Sequence, residues 1–249
     1  MSGVESKKLG RYLRTIMLSE IGKRGQEKLY NSKVGVIGVG GLGSPVLLYL
    51  ASCGIGNITI VDFDKVNLID LQRQVIYTEE DIGQYKVIAA QKNIKKINSE
   101  IKIDPINTIL SEENKEYFVE VFKNFDCLID ATDNIPTRYL IDDIVKTINS
   151  QYRKSDPLYW VMGAVFKFEG IISVFDSVNY SYRKTFPNFR EVSSCQEVGV
   201  LPTTTAVIGS LQANEAIKII LKTGEFLFKK LLIIKLDKNE FDLIKLDNI

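Results

Sequence analysis

Residues 33–62 read KVGVIGVGGLGSPVLLYLASCGIGNITIVD, and how that stretch is parsed decides the fold. It carries no charged residue between Val34 and Val61, which on length alone suffices to cross a bilayer. The glycines and Pro45 argue against one continuous helix. They divide the run into a β-rich segment at Val34–Val39, a glycine turn, an apolar helix from Leu42 to about Ser52, and a second β-rich segment at Ile58–Val61. Strand, turn, helix and strand are expected, and no membrane association.

Working outward, the alternation continues. A helix is predicted near Gln84–Ile97, a strand near Ile101–Asn107, a helix near Glu112–Phe122 and a strand ending at Asp130. Strands and helices that keep exchanging places through short connections form parallel βαβ units covered by helices on both faces. After Tyr159 the pattern changes. WVMGAVF and GIISVF are joined by Lys167-Phe168-Glu169 and read as an antiparallel hairpin. The polar, aromatic stretch Asp176–Glu197 reads as a long surface loop, and Thr203–Leu221 as a helix with Gly224 as its C-cap. Strands are expected at Leu227–Leu236 and Phe241–Leu246. The fold class is therefore α/β: a Rossmann-like, doubly wound, mostly parallel sheet extended by antiparallel strands. One domain over residues 1–249 is the economical division, with a nucleotide-binding half at 30–150 and the antiparallel strands, crossover loop and long helix at 151–249.

Hydrophobic residues at 45%, charged residues at 25% and a net charge of +1 exclude a disordered chain and a polybasic nucleic-acid coat. The chain has no histidine, and its three cysteines, Cys53, Cys127 and Cys195, stand far apart. Ser-His triads and zinc sites are excluded on ligand count, so no zinc is expected. Unpaired cysteines fit a reducing compartment, and the first ten residues, MSGVESKKLG, carry no apolar signal-peptide core. A cytoplasmic location is expected.

Chemistry is expected first at Gly38-Val39-Gly40-Gly41-Leu42-Gly43, a G-x-G-x-x-G that follows a strand and opens a helix. Gly38, Gly40, Gly41 and Gly43 allow close backbone approach to phosphates, and the helix N-terminus offers free N–H groups. Asp62, 19 residues after Gly43, stands where a carboxylate accepts from ribose hydroxyls. These features suit NAD and ATP equally. Arg73 and Lys86 favour a triphosphate, whose charge needs a guanidinium fork and a point charge. At the end of the Cys127 strand, Asp130 and Asp133 are three residues apart, placed to hold Mg²⁺ beside phosphates, while Asp133 or Asn134 can also cap the following helix.

GVGGLG at 38–43, DFD at 62–64, LQRQ at 71–74, Lys86, ATDN at 131–134, GSLQANEAIK at 209–218 and RYLR at 11–14 together resemble the ThiF/MoeB/HesA family, bacterial relatives of ubiquitin-activating enzymes. The resemblance runs over nearly the whole chain. It implies an ATP-dependent adenylyltransferase that activates the C-terminal Gly-Gly carboxylate of a small ubiquitin-like sulfur carrier, of the ThiS or MoaD type serving thiamine or molybdopterin synthesis, and releases pyrophosphate. The match puts Gly41 against phosphates, Asp62 on the ribose, Arg73 and Lys86 on phosphates and Asp133 on Mg²⁺. Asp64, Asp70, Gln74, Asp130 and Asn134 are further nucleotide candidates. Arg14 resembles an arginine that reaches into the neighbouring subunit's site, which implies a homodimer.

The expected chemistry suits a chain without histidine. The attacking group is an α-carboxylate already ionised at neutral pH, so positioning and charge neutralisation suffice. Two departures stand out: the family's paired zinc cysteines are missing, and Asp70 occupies a position where relatives usually have Asn. Cys195, in contrast, resembles a cysteine that in some relatives joins the carrier covalently. A non-catalytic scaffold for a ubiquitin-like protein and an NAD(P)-dependent oxidoreductase are the alternative readings.

Overall fold

The computed structural model describes residues 10–187 and 199–246. Its centre is one eight-stranded sheet in the order β3-β2-β1-β4-β5-β6-β7-β8. β1 (Lys33–Ile37), β2 (Asn57–Asp62), β3 (Lys102–Asn107), β4 (Cys127–Asp130) and β5 (Tyr159–Phe166) run parallel. β6 (Glu169–Phe175), β7 (Lys230–Lys235) and β8 (Glu240–Lys245) add antiparallel strands. The expected fold class holds, and the chain-order reversal between β1 and β4 creates the crevice at strand C-terminal ends where open α/β sheets bind ligands.

Ahead of the sheet lie α1 (Leu13–Ile16) and α2 (Gly22–Asn31). One face of the sheet is covered by α3 (Gly43–Cys53), α4 (Lys86–Ile97) and the later 20-residue helix at Pro202–Leu221, burying Val46, Leu47, Leu50, Ile94 and Ile208. The other is covered by α5 (Lys115–Phe122) and α6 (Ile135–Gln151), burying Phe118, Phe122, Ile141 and Ile144. β1, β2 and β4 are apolar without alternation because both faces are covered.

Two expectations are corrected. The start of the supposed surface loop is packed: Tyr180 stacks on Phe175 at 4.5 Å, and Tyr182 is buried on the short helix α7 (Tyr182–Thr185). Two buried aspartates shape it. Asp176 accepts from the amides of Val178, Asn179 and Tyr180, and Asp142 accepts from the Ser181 hydroxyl and the Tyr182 amide. Aromatic burial without periodicity leaves no pattern to read. The second correction concerns α8 (Pro202–Leu221), which ends on Lys222 in the left-handed region (φ 55°), two residues before Gly224. No helix among the described residues is long and apolar enough to cross a membrane.

Replacing Phe118, fully buried and stacked on Phe122, by alanine is expected to lower the unfolding free energy by about 3–5 kcal/mol, read from urea denaturation.

Candidate functional site

The glycine turn is squeezed between the ends of three strands. The Gly38 amide donates to Val61 O at 2.8 Å, and the Ala131 amide donates to Ile37 O at 2.8 Å. Gly38 has φ +89°, and a Cβ there would sit 2.7 Å from Ala131 O. A Cβ on Gly43 would fall on the Gly38 carbonyl, and one on Gly41 would press on the Thr205 methyl at 3.1 Å and the Arg73 stem at 3.4 Å. The turn is thus the meeting point of β1, the loop after β4, the N-terminal turn of α3 and the first turns of α8. Both helices present the positive ends of their dipoles here.

Asp62 closes the turn from β2. Its carboxylate accepts from the Val39 amide at 2.8 Å and the Asp64 amide at 2.9 Å. Burial pushes its pKa above the ordinary carboxylate range, against the opposing effect of those amides and of Lys86. Each oxygen retains capacity for a further donor such as a ribose hydroxyl.

The cations form one cluster with two other aspartates. Lys86, buried at the start of α4, donates to Asp64 at 3.1 Å, and its ammonium lies 3.9 Å from Asp70. Arg73 donates to Ile69 O at 3.1 Å and lies 3.5 Å from Asp70. Gln74 donates to Asp70 at 2.8 Å, its amide nitrogen lies beside Gly40, and its Oε1 is buried without a hydrogen-bond partner. Arg73, Gln74, Lys86, Asp62 and Asp64 are therefore brought together beside the glycine turn.

Asp130 is corrected. It is fully buried at the end of β4, where it accepts from the Arg138 Nε at 3.0 Å, the Thr132 amide at 2.9 Å and the Thr132 hydroxyl at 2.6 Å. With no exposed surface, it shapes the 131–134 loop instead of touching nucleotide. Asn134 is the N-cap of α6, accepting from the Thr137 amide at 2.9 Å. Asp133 is exposed on the same loop.

Arg14 is exposed on α1 and does not join this cluster. The neighbouring Tyr12 packs against Gly54, the C-cap of α3, so Arg14 lies near the far end of a helix about 16 Å long whose start is the glycine turn. Cys195 lies outside the described residues.

Sequence reasoning overlooked three supporting residues. Tyr77 donates its hydroxyl to Val39 O at 2.7 Å, tying the glycine turn to the segment before α4. Arg138 donates to Thr132 O at 2.9 Å and Gly163 O at 3.2 Å besides pairing with Asp130. Gln212, fully buried on α8, donates to Asp130 O at 2.6 Å. A signal existed only for the last, since Gln212 stands inside the GSLQANEAIK motif at 209–218.

The donor set fits a magnesium-bound nucleoside triphosphate. Gln74 Oε1 lacks the donor that a ribose hydroxyl or amino group supplies, and the Gln74 side chain lies in ordinary contact with Gly40 of the glycine turn. Among the described residues no three potential metal ligands converge. A single carboxylate completed by phosphate oxygens and water is, however, a recurring Mg²⁺ arrangement, and Asp133 can supply it.

A model of the ThiF family matches residues 12–248. The chain belongs to the ThiF family. A sulfur carrier protein adenylyltransferase of Thermus thermophilus is 38% identical over 234 residues, covering 90% of this chain and 82% of that protein. The SAMP-activating enzyme E1 of Haloferax volcanii is 36% identical, covering 92% of this chain and 82% of that protein. The probable adenylyltransferase/sulfurtransferase MoeZ of Mycobacterium tuberculosis is 39% identical over 93% of this chain, which spans only 58% of MoeZ. Among solved structures, PaaA (TM-score 0.78, 20% identity, 99% of this chain and 75% of that one) and Escherichia coli MccB with ATP (TM-score 0.71, 19% identity, 99% and 79%) share the ThiF-type fold.

Arg138→Met, which leaves the Asp130 carboxylate buried without its cation, is expected to lower the unfolding free energy by about 3–5 kcal/mol in urea denaturation. Adding Asp130→Asn should recover part of that loss, because the pair is coupled.

Proposed function

We propose that this ThiF-family chain, as one adenylation domain over residues 1–249, uses Mg-ATP to activate the C-terminal Gly-Gly carboxylate of a ubiquitin-like sulfur-carrier protein. The carboxylate attacks the α-phosphorus. An acyl–O–P bond forms, the bond from the α-phosphorus to the bridging oxygen breaks, and pyrophosphate leaves with that electron pair. No proton moves, which suits a crevice without histidine.

The observation that carries this reading is the convergence of Arg73 and Lys86 on the glycine turn that Asp62 closes. An anion meeting an anion is limited by repulsion, and fixed cations beside helix N-termini relieve it. Asp133 is the residue to hold Mg²⁺, which would supply further neutralisation of the phosphates. Asp62 accepts from the ribose, and Gln74 Oε1 accepts from a nucleotide donor. The name of the Thermus relative supports adenylyl transfer to a sulfur-carrier protein, that of the Mycobacterium relative supports adenylyl transfer, and that of the Haloferax relative supports an activating role. Two described cysteines, Cys53 and Cys127, are free thiols, in keeping with the cytoplasm.

Arg14, remote from the glycine turn of its own chain, serves the site of a second copy in a homodimer. Mixing Arg14→Ala with Lys86→Ala chains tests this: mixed dimers carry one complete site, and co-refolded protein should regain about a quarter of wild-type activity, while separate preparations stay inactive.

The decisive assay is carrier-dependent exchange of labelled pyrophosphate into ATP, run against small proteins that end in Gly-Gly. Arg73→Ala and Lys86→Ala are each expected to slow exchange by about 10²–10³-fold. Carrier binding without exchange would favour a non-catalytic scaffold, and exchange at wild-type rate in both variants would overturn the assignment of the cations.

A further inference from the structure

Asp70 is a carboxylate of the crevice that is held in place beside both cations. Asp64, which pairs with Lys86, has a side chain 50% exposed and is free to swing into water. Asp70 has a side chain only 8% exposed and is pinned from several directions. The Asn67 amide donates to its Oδ2 at 3.0 Å, and the Gln74 amide group donates to its Oδ1 at 2.8 Å. Arg73 Nη2 lies 3.5 Å from Oδ1 and the Lys86 ammonium 3.9 Å from Oδ2. This single side chain therefore touches or faces the three groups, Arg73, Gln74 and Lys86, that line the phosphate side of the glycine turn.

Asp62, Asp64 and Asp70 set three negative charges against the two positive charges of Arg73 and Lys86. An incoming triphosphate displaces Asp64 from Lys86, but it must share both cations with Asp70. A fixed anion at that position has two effects. It holds the Lys86 ammonium and the Arg73 fork at the mouth of the crevice before nucleotide arrives, and it repels the β- and γ-phosphates once they are seated.

We propose that Asp70 is a positioning residue that acts through Arg73 and Lys86: its fixed charge weakens their grip on polyphosphate, so that pyrophosphate is released. The proposal rests on the adenylation reading and deepens it. It concerns the β- and γ-phosphates specifically, so it distinguishes ATP and pyrophosphate from AMP.

Asp70→Asn tests it, since the amide keeps the shape and an acceptor for Gln74 while removing the charge. The readouts are the dissociation constants of Mg-ATP, Mg-pyrophosphate and AMP by calorimetry, together with kcat and KM for ATP in the exchange assay. The expected result is that ATP and pyrophosphate both bind roughly three- to tenfold tighter, AMP changes by less than about twofold, and KM for ATP falls while kcat does not rise. Asp70→Ser, smaller and also uncharged, should shift pyrophosphate in the same direction. A purely structural Asp70 would weaken all three ligands together, and unchanged or weaker pyrophosphate binding in Asp70→Asn overturns the proposal. So does failure of both variants to fold, which would make the carboxylate a fold determinant. If wild-type protein binds no ATP, the adenylation reading itself fails; if it binds ATP and Asp70→Asn binds no tighter, only the role of Asp70 falls.

Discussion

The crevice exists because the backbone at residues 38–43 approaches its neighbours more closely than any side chain permits. Gly43 lies against the Gly38 carbonyl, Gly38 against Ala131, and Gly41 against Thr205 and the stem of Arg73. That contact brings the ends of β1 and β4 and the starts of α3 and α8 to one point. Free helix amides, helix dipoles and the Arg73 side chain then face the same space without further adjustment. Every polar group of the site is placed relative to this contact: Asp62 through the Val39 amide, Tyr77 through the Val39 carbonyl, and the 131–134 loop through Ala131.

Behind the crevice, a buried ionic core sets the loop that carries Asp133. Asp130 and Arg138 neutralise each other where water is excluded, and Arg138 also reaches the Thr132 carbonyl in the loop after β4 and the Gly163 carbonyl within β5. Gln212 adds a tie from α8 to the Asp130 carbonyl. Such an arrangement is costly to break from one side, because it leaves a buried charge unpaired. Its contribution is geometric, since it holds the loop after β4 rigidly against the glycine turn.

Much of this was legible in the sequence, for physical reasons that differ from place to place. The strand–turn–helix at 33–53 and Asp62 were readable because glycine spacing and an uncharged apolar run leave few alternatives. Arg73 and Lys86 were readable only as types of charge; that Asp70 lies between them depends on a 3₁₀ turn at Leu68–Asp70 that no periodicity announces. Asp130 was misread because a carboxylate at a strand end looks the same whether it faces ligand or a buried arginine eight residues later. The packed aromatic segment after β6 was invisible for the opposite reason, since Tyr180 and Tyr182 are buried on a loop and a one-turn helix that Asp176 and Asp142 hold together, too short to show a period. Arg14 was placed by resemblance, and the fold adds that it stands far from its own glycine turn.

The central claim is that this crevice is built for a triphosphate and not for a dinucleotide, although its glycine turn and ribose acid suit either. Equilibrium titration of the purified chain with ATP and with NAD⁺, each with and without Mg²⁺, tests it most directly. The account predicts saturable ATP binding that strengthens with Mg²⁺ and no saturable binding of NAD⁺. Binding of NAD⁺ at least as tight as ATP and indifferent to Mg²⁺ would contradict it.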